Sequence, residues 1–174
     1  LTLAADQIIN HASKFRYMYG DTVTVPLVIR TPMGGRRGYG ATHSQCLEKH
    51  FLGVPDTMML ALHGRLDPGR IYDAVFKGID KPVIIIEDKL LYGLRLSRPV
   101  PEGFLWEHTD EPFPTSRLRP SGAADLTLLC YGGMLPHAEA AAERLFDEHD
   151  LAVEVIAPVR LYPFDPAPLF ESVA

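Results

Sequence analysis

Cysteine is scarce in this chain. Its 174 residues include two, Cys46 and Cys130, too far apart to suggest a framework of bridges. That excludes the disulfide-stapled secreted scaffolds and fits a reducing compartment, so a cytoplasmic protein is expected. Positive charge is also short. There are 17 Lys and Arg against 22 Asp and Glu, a formal net charge of −5. A nucleic-acid partner is disfavoured, because such a footprint is basic. No apolar run reaches bilayer length and no signal segment opens the chain, so no membrane association is expected. The common catalytic signatures are missing too. There is no G-x-S-x-G, no H-E-x-x-H, no C-x-x-C, and neither the Walker nor the dinucleotide glycine fingerprint. His43 and Ser44 are adjacent, and neighbours in a helix point about 100° apart, so they form no nucleophile–base pair. Serine hydrolysis and zinc chemistry are therefore poor fits.

What is present is an ordinary globular composition, 47% hydrophobic and 22% charged. Helical spacing of Leu3, Ile8, Ile9, Ala12 and Phe15 predicts a first helix over 3–19. Val23 to Ile29 reads as strand. Thr57 to Leu62 and Pro82 to Glu87 are apolar runs without polar alternation, as in strands covered on both faces. Between them, Asp67-Pro68 opens a helix to about Ile79, a capping carboxylate followed by proline at the first helical position. Residues 97–122 are proline-rich with little periodicity and read as a linker with some irregular edge strand. Beyond it come a strand (Asp125 to Tyr131), a helix (Pro136 to His149) with Ala138, Ala141, Ala142, Leu145 and Phe146 on its apolar side, and a strand (Ala152 to Ile156). Asp165-Pro166 then starts a last helix. The expected fold is α/β: parallel open sheets with helices on both faces. The opening Leu, inside a helical pattern, suggests a fragment or a processed product.

The stretch most suggestive of function is Val25 to Cys46. A β-branched run stops at Thr31-Pro32, a loop with Gly34, Gly35, Gly38 and Gly40 follows, and a helix is predicted over 42–52 with His43 in its first turn. A buried strand, a flexible loop and a helix start are how open α/β sheets build ligand sites. On the residues alone, His43 is equally well a capping or packing histidine or a catalytic one. His50, seven residues on, could share its helix face. Arg36 and Arg37 could meet an anion or be solvated. Glu87 ends a predicted strand, where functional groups gather, but an ordinary strand-end carboxylate is the plainer reading. Cys130 reads as a small buried hydrophobe.

The segments DQIINHASKFRYMYG (6–20), VPLVIRTPMGG (25–35), GYGATHSQCLE (38–48) and EDKLLYG (87–93) together resemble the β subunit of the thiamine diphosphate-dependent 2-oxoacid dehydrogenase decarboxylating component, of pyruvate, branched-chain or acetoin type, which shares its architecture with transketolase. HGRLDPGRIYDAVF (63–76) is closer to versions in which α and β regions are fused. The resemblance implies that residues 1–96 are the later part of a pyrimidine-binding domain, 97–122 a linker, and 123–174 the start of a transketolase C-terminal domain. It implies decarboxylation of a 2-oxoacid and acyl transfer to a lipoyl group, with His43 as the active-site histidine exchanging protons near the cofactor. The implied partners are an α subunit or region carrying the diphosphate site, a second β copy, and a lipoyl-bearing acyltransferase.

Departures from the family pattern limit what this chain can do alone. The glutamate that activates the aminopyrimidine has no counterpart here. Nor has the G-D-G…N motif that holds diphosphate and magnesium; Gly20-Asp21-Thr22 is not that motif. Thiamine diphosphate with magnesium is thus expected in a complete assembly, with none bound by this chain alone. Some relatives hold potassium at the positions of Leu27, Gly78 and Ile79, but the loop 78–82 is shorter here, which argues against that site. The alternatives are a non-catalytic dimerisation module and part of a transketolase-like sugar enzyme.

Overall fold

The third strand is the spine of the first half of the molecule. The structure, a computed structural model, describes residues 1–96 and 98–173. Its first sheet has the order β1-β3-β2-β8, with β1 Val28–Met33, β2 Met58–Ala61, β3 Val83–Asp88 and β8 Arg160–Tyr162. β3 pairs in parallel with β1 on one side and β2 on the other. Its residues Val83, Ile84, Ile85 and Ile86 are all buried. Val83 and Ile85 join Met58, Leu60, Ile71 and Val75 on one face. Ile84 and Ile86 join Ile8, Met33, Phe51 and Met59 on the other. The missing polar alternation in β2 and β3 is thus explained by two cores, one on each face. The helix Pro68–Gly78 (here α2, after the short α1, Phe15–Met18) covers the first core. Asp67 caps it, accepting from the amide of Gly69 at 2.9 Å.

Several expectations need correction. The strand predicted at 23–29 lies five residues later, at Val28–Met33, and includes Pro32. Proline is tolerated because β1 is an edge strand that pairs with β3 alone. The helix predicted over 42–52 is absent. Two single 3₁₀ turns, Ala41–His43 and Glu48–His50, take its place. Thr, His, Ser and Cys are weak helix formers whose polar groups compete for the backbone, and the buried Phe51 anchors the segment instead. The first helix is broken into 3₁₀, π and α turns, with Ser13 N–H donating to the carbonyl of Ile8.

The stretch expected as a linker over 97–122, whose residue 97 lies outside the described residues, contains two strands. Phe104–His108 (β4) and Thr115–Pro120 (β5) pair antiparallel and belong to the second sheet, of order β4-β5-β7-β6. In it, β6 (Leu126–Leu129) pairs parallel with β7 (Val153–Pro158), whereas β5 pairs antiparallel with β7. This sheet is therefore mixed, not parallel throughout. α3 (Leu135–His149) packs Leu135 and Ala142 against its buried face, and the short α4 (Ala167–Val173) follows. β8 was not foreseen. It leaves the second sheet and runs antiparallel to β2 in the first, so the division near 97–122 is crossed by the chain.

The two halves are joined by polar side chains. Arg65, after β2, donates from Nε to Glu139 on α3 at 2.7 Å and from Nη1 to the carbonyl of Arg98 at 2.6 Å. Both Arg65 and Glu139 side chains are 7% exposed. His63 and His108 meet across the hydroxyl of Ser116, at 3.1 and 2.9 Å. Burial first, then the charges of His108, Arg65 and Arg98, push the His63 imidazole down to about 3.

Removing one partner of a buried ion pair strands the other, so Glu139→Ala should cost about 3–5 kcal/mol in urea unfolding. The neutral His63 adds an acid limb. Its protonation is resisted by the fold and free in the unfolded chain, so stability is complete above about pH 6.5 and falls as pH drops towards 3. Thermal midpoints taken down this range should fall for the parent chain and less for His63→Gln.

Candidate functional site

The C-terminal ends of β1 and β3 meet at Met33 and Asp88. From β1 the chain enters the glycine loop, and from β3 it turns through Lys89. Four glycines allow the loop to turn sharply; Gly34, Gly38 and Gly40 have φ of 92°, 75° and 74°, where a side chain would be strained. The loop carries His43 to an exposed position on a groove of about 340 Å³ lined by Thr31, Pro32, Gln45, Leu47 and Lys89 among others. The ammonium of Lys89 donates to the carbonyls of His43 and Gly34. The groove can therefore present an imidazole and an ammonium to whatever binds there.

The other residues singled out in the sequence are placed differently. His50 lies on a separate turn and shares no helix with His43. Neither arginine of the loop is simply solvated. Arg36 Nη1 lies 2.7 Å from Nε2 of His137 at the start of α3, and Arg37 donates to the carbonyl of Lys89 at 2.9 Å. Cys130 is half-buried beyond β6, its thiol pushed up to about 12 by burial and by the charge of Glu139. The carbonyl of Asp80 receives the amide of Val25 at 3.2 Å, closing the short loop after α2 back onto the start of β1.

Glu87 is more than a strand-end carboxylate. It is 6% exposed and accepts from Arg30 Nε at 2.8 and 2.7 Å and from the hydroxyls of Tyr72 and Tyr92 at 2.6 Å each. Burial pushes its carboxyl up, but these hydrogen bonds together outweigh burial and hold it below its usual value. Burial, followed by the bond to Glu87, pushes both tyrosines up. The cluster forms one wall of a cavity of about 490 Å³ also lined by Leu62, His63, Leu91 and Leu94. Arg30, Tyr72 and Tyr92 had no signal in the sequence; the parallel register sets Arg30 opposite Ile85, from where its side chain reaches diagonally to Glu87, two residues further along β3. A second carboxylate, Glu48, is buried beside the groove segment and accepts from Tyr131 at 2.8 Å. Burial, then this bond, pushes Tyr131 up to about 12. Among the described residues, no three His, Cys, Asp or Glu side chains gather as a metal ion requires.

Tyr72→Phe deletes one hydrogen bond to a buried charge and should cost about 1.5–3 kcal/mol in denaturant unfolding. Because the folded carboxyl of Glu87 titrates below its unfolded value, its stabilisation is complete above about pH 4.3 and is lost as pH falls further. Without the Tyr72 bond the folded carboxyl lies nearer its unfolded value, so the variant should lose less stability than the parent over the same fall in pH.

Residues 116–174 match the transketolase C-terminal domain family. The β-1 subunit of the mitochondrial pyruvate dehydrogenase E1 component of Arabidopsis thaliana is 35% identical over 170 residues, 98% of this chain and 46% of that protein. The corresponding β subunit of Rhizobium meliloti is 32% identical over 171 residues, 98% of this chain and 35% of that protein. The chain thus spans less than half the length of these curated relatives. Among solved structures, a split-gene transketolase described as an inactive β4 tetramer has a TM-score of 0.59 at 23% identity, over 98% of this chain and 51% of that one. A transketolase variant of Pichia stipitis reaches 0.59 at 14% identity, over 97% and 24%. At these identities the structural likeness is one of fold. Over nearly its whole length the chain is related to the β subunits of the pyruvate dehydrogenase E1 component, and it carries part of a transketolase C-terminal domain.

Proposed function

We propose that this chain is the cofactor-facing wall of a thiamine diphosphate-dependent 2-oxoacid dehydrogenase, with His43 as its catalytic residue. The observation that carries the reading is the position of His43: exposed, on a groove at the C-terminal ends of parallel strands, on a loop tied to β3. Open sheets bind their ligands at such ends. In this reading residues 1–96 form the later part of the pyrimidine-binding domain. The transketolase C-terminal part begins with the β4-β5 hairpin rather than at 123.

The cofactor, when bound, would supply the electron sink that decarboxylation of a 2-oxoacid needs. What this chain contributes is narrower. The imidazole of His43 gives or takes a proton at the mouth of the groove, the role histidine most often fills as general acid or base. Lys89 adds positive charge beside it. The donor set for a diphosphate-bound magnesium is assigned to an α subunit or region, and acyl transfer to a lipoyl-bearing acyltransferase. The two unpaired cysteines suit any reducing compartment, cytoplasm or organelle matrix. The higher identity to E1 β subunits than to transketolases favours an oxoacid over a sugar phosphate as substrate.

A second reading, a dimerisation module without catalysis, is favoured by the edge strand β6. Its Leu126 and Leu129 are 46% and 53% exposed, and Phe170 on α4 is 65% exposed. A second copy of the chain could cover that face. Light scattering discriminates: a strictly monomeric chain counts against this second reading.

Assembled with the α region and the remaining β sequence, the chain should support lipoyl acylation, and His43→Ala should lower it by about 10²-fold or more. Calorimetry of the chain alone should show no uptake of thiamine diphosphate. Normal turnover by His43→Ala would remove His43 from the mechanism.

A further inference from the structure

The geometry points to Lys89 as the positioning residue of the His43 loop. This inference rests on the functional reading above. The loop has few bonds of its own. The amide of Gly34 donates to the carbonyl of Gln45 at 3.3 Å, and the side chain of Gln45 reaches the carbonyl of Thr42 at 3.4 Å. Both are long, and neither fixes His43 itself. Lys89 reaches three separate points. Its ammonium donates to the carbonyl of Gly34, where the loop begins, at 3.3 Å, and to the carbonyl of His43. It also sits 5.6 Å from the centre of the Tyr39 ring, near the loop's middle.

Lys89 is itself held. Its amide donates to the carbonyl of Met33 at 3.0 Å, continuing the β1–β3 ladder by one residue. Its carbonyl accepts from Arg37 at 2.9 Å. A flexible glycine segment is thus fastened, at the histidine, to the end of a buried strand at the centre of the sheet. An ammonium suits this task because it offers three donors in a tetrahedral spread, enough for two carbonyls and a ring face. A loop of this composition left untied would sample many conformers, and the fraction holding His43 towards the groove would fall. Proton transfer requires hydrogen-bond reach, so that fraction multiplies the rate directly.

The test compares Lys89→Met, which keeps the stem and loses the donors, with Lys89→Arg, which restores donors on a similar stem. In the chain itself, amide exchange over residues 36–46 should rise about ten-fold or more in Lys89→Met. It should return towards the parent in Lys89→Arg, with the exchange of β2 and α2 unchanged. In the assembled enzyme, Lys89→Met should lower kcat with KM for the oxoacid unchanged, and Lys89→Arg should recover it in part. Unchanged loop exchange in Lys89→Met, or a loss that Lys89→Arg does not recover, overturns the inference. If Lys89→Met fails to fold, Lys89→Gln, which keeps one shorter donor, decides by the same two measurements. The two levels separate cleanly. Full turnover in His43→Ala would sink the functional reading, whereas an inactive His43→Ala beside a fully active Lys89→Met would sink the positioning role alone.

Discussion

Asp88 is wedged between two glycines from distant parts of the chain, and the rest of the site depends on that contact. A Cβ on Gly34 would strike the Asp88 carboxylate, and one on Gly133 would lie 2.6 Å from the Asp88 Cβ. Neither position admits a larger residue unless the strand end moves. The glycine loop, the end of β3 and the turn into α3 are therefore packed backbone to side chain at one point. Arg36 reaching His137 and Tyr131 reaching Glu48 reinforce the same seam. The groove that presents His43 sits beside this seam, its walls drawn from the first half of the chain, from Leu1 to Lys89.

The elements legible in the sequence are those whose cause is local or periodic. β2, β3, α2, α3, β6 and β7 each carry a long apolar run or a capped amphipathic stripe, and each lies within a few residues of its expected place. The failures are equally instructive. β1 extends through Pro32 because only pairing reveals that it is an edge. The β4-β5 hairpin hid among prolines because its strands are half-exposed, with Leu105 and Arg119 facing outward. β8 is three residues long and exists only because β2 has a free side. The segment 42–52, predicted as a helix opened by Thr42, is instead a loop anchored by Leu47 and Phe51.

The candidate site divides along the same line. His43 was visible because an ordered set of motifs pointed to it. The Arg30–Tyr72–Tyr92 cage around Glu87 was not, since its members come from β1, α2 and the turn after β3. The two clusters also differ in electrostatic character. Glu87 is saturated by three donors and held ionised, which suits a structural anchor. His43 is exposed and its imidazole is free of side-chain partners among the described residues, which suits a group that must meet something else.

The measurement that bears most directly on this account is a crystal structure of the chain assembled with its α region and thiamine diphosphate. The account predicts the imidazole of His43 facing the reactive carbon of the cofactor, within hydrogen-bond reach of a bound acyl group or one water removed. An imidazole turned away from the cofactor, or a cofactor seated on another face of the sheet, would contradict it.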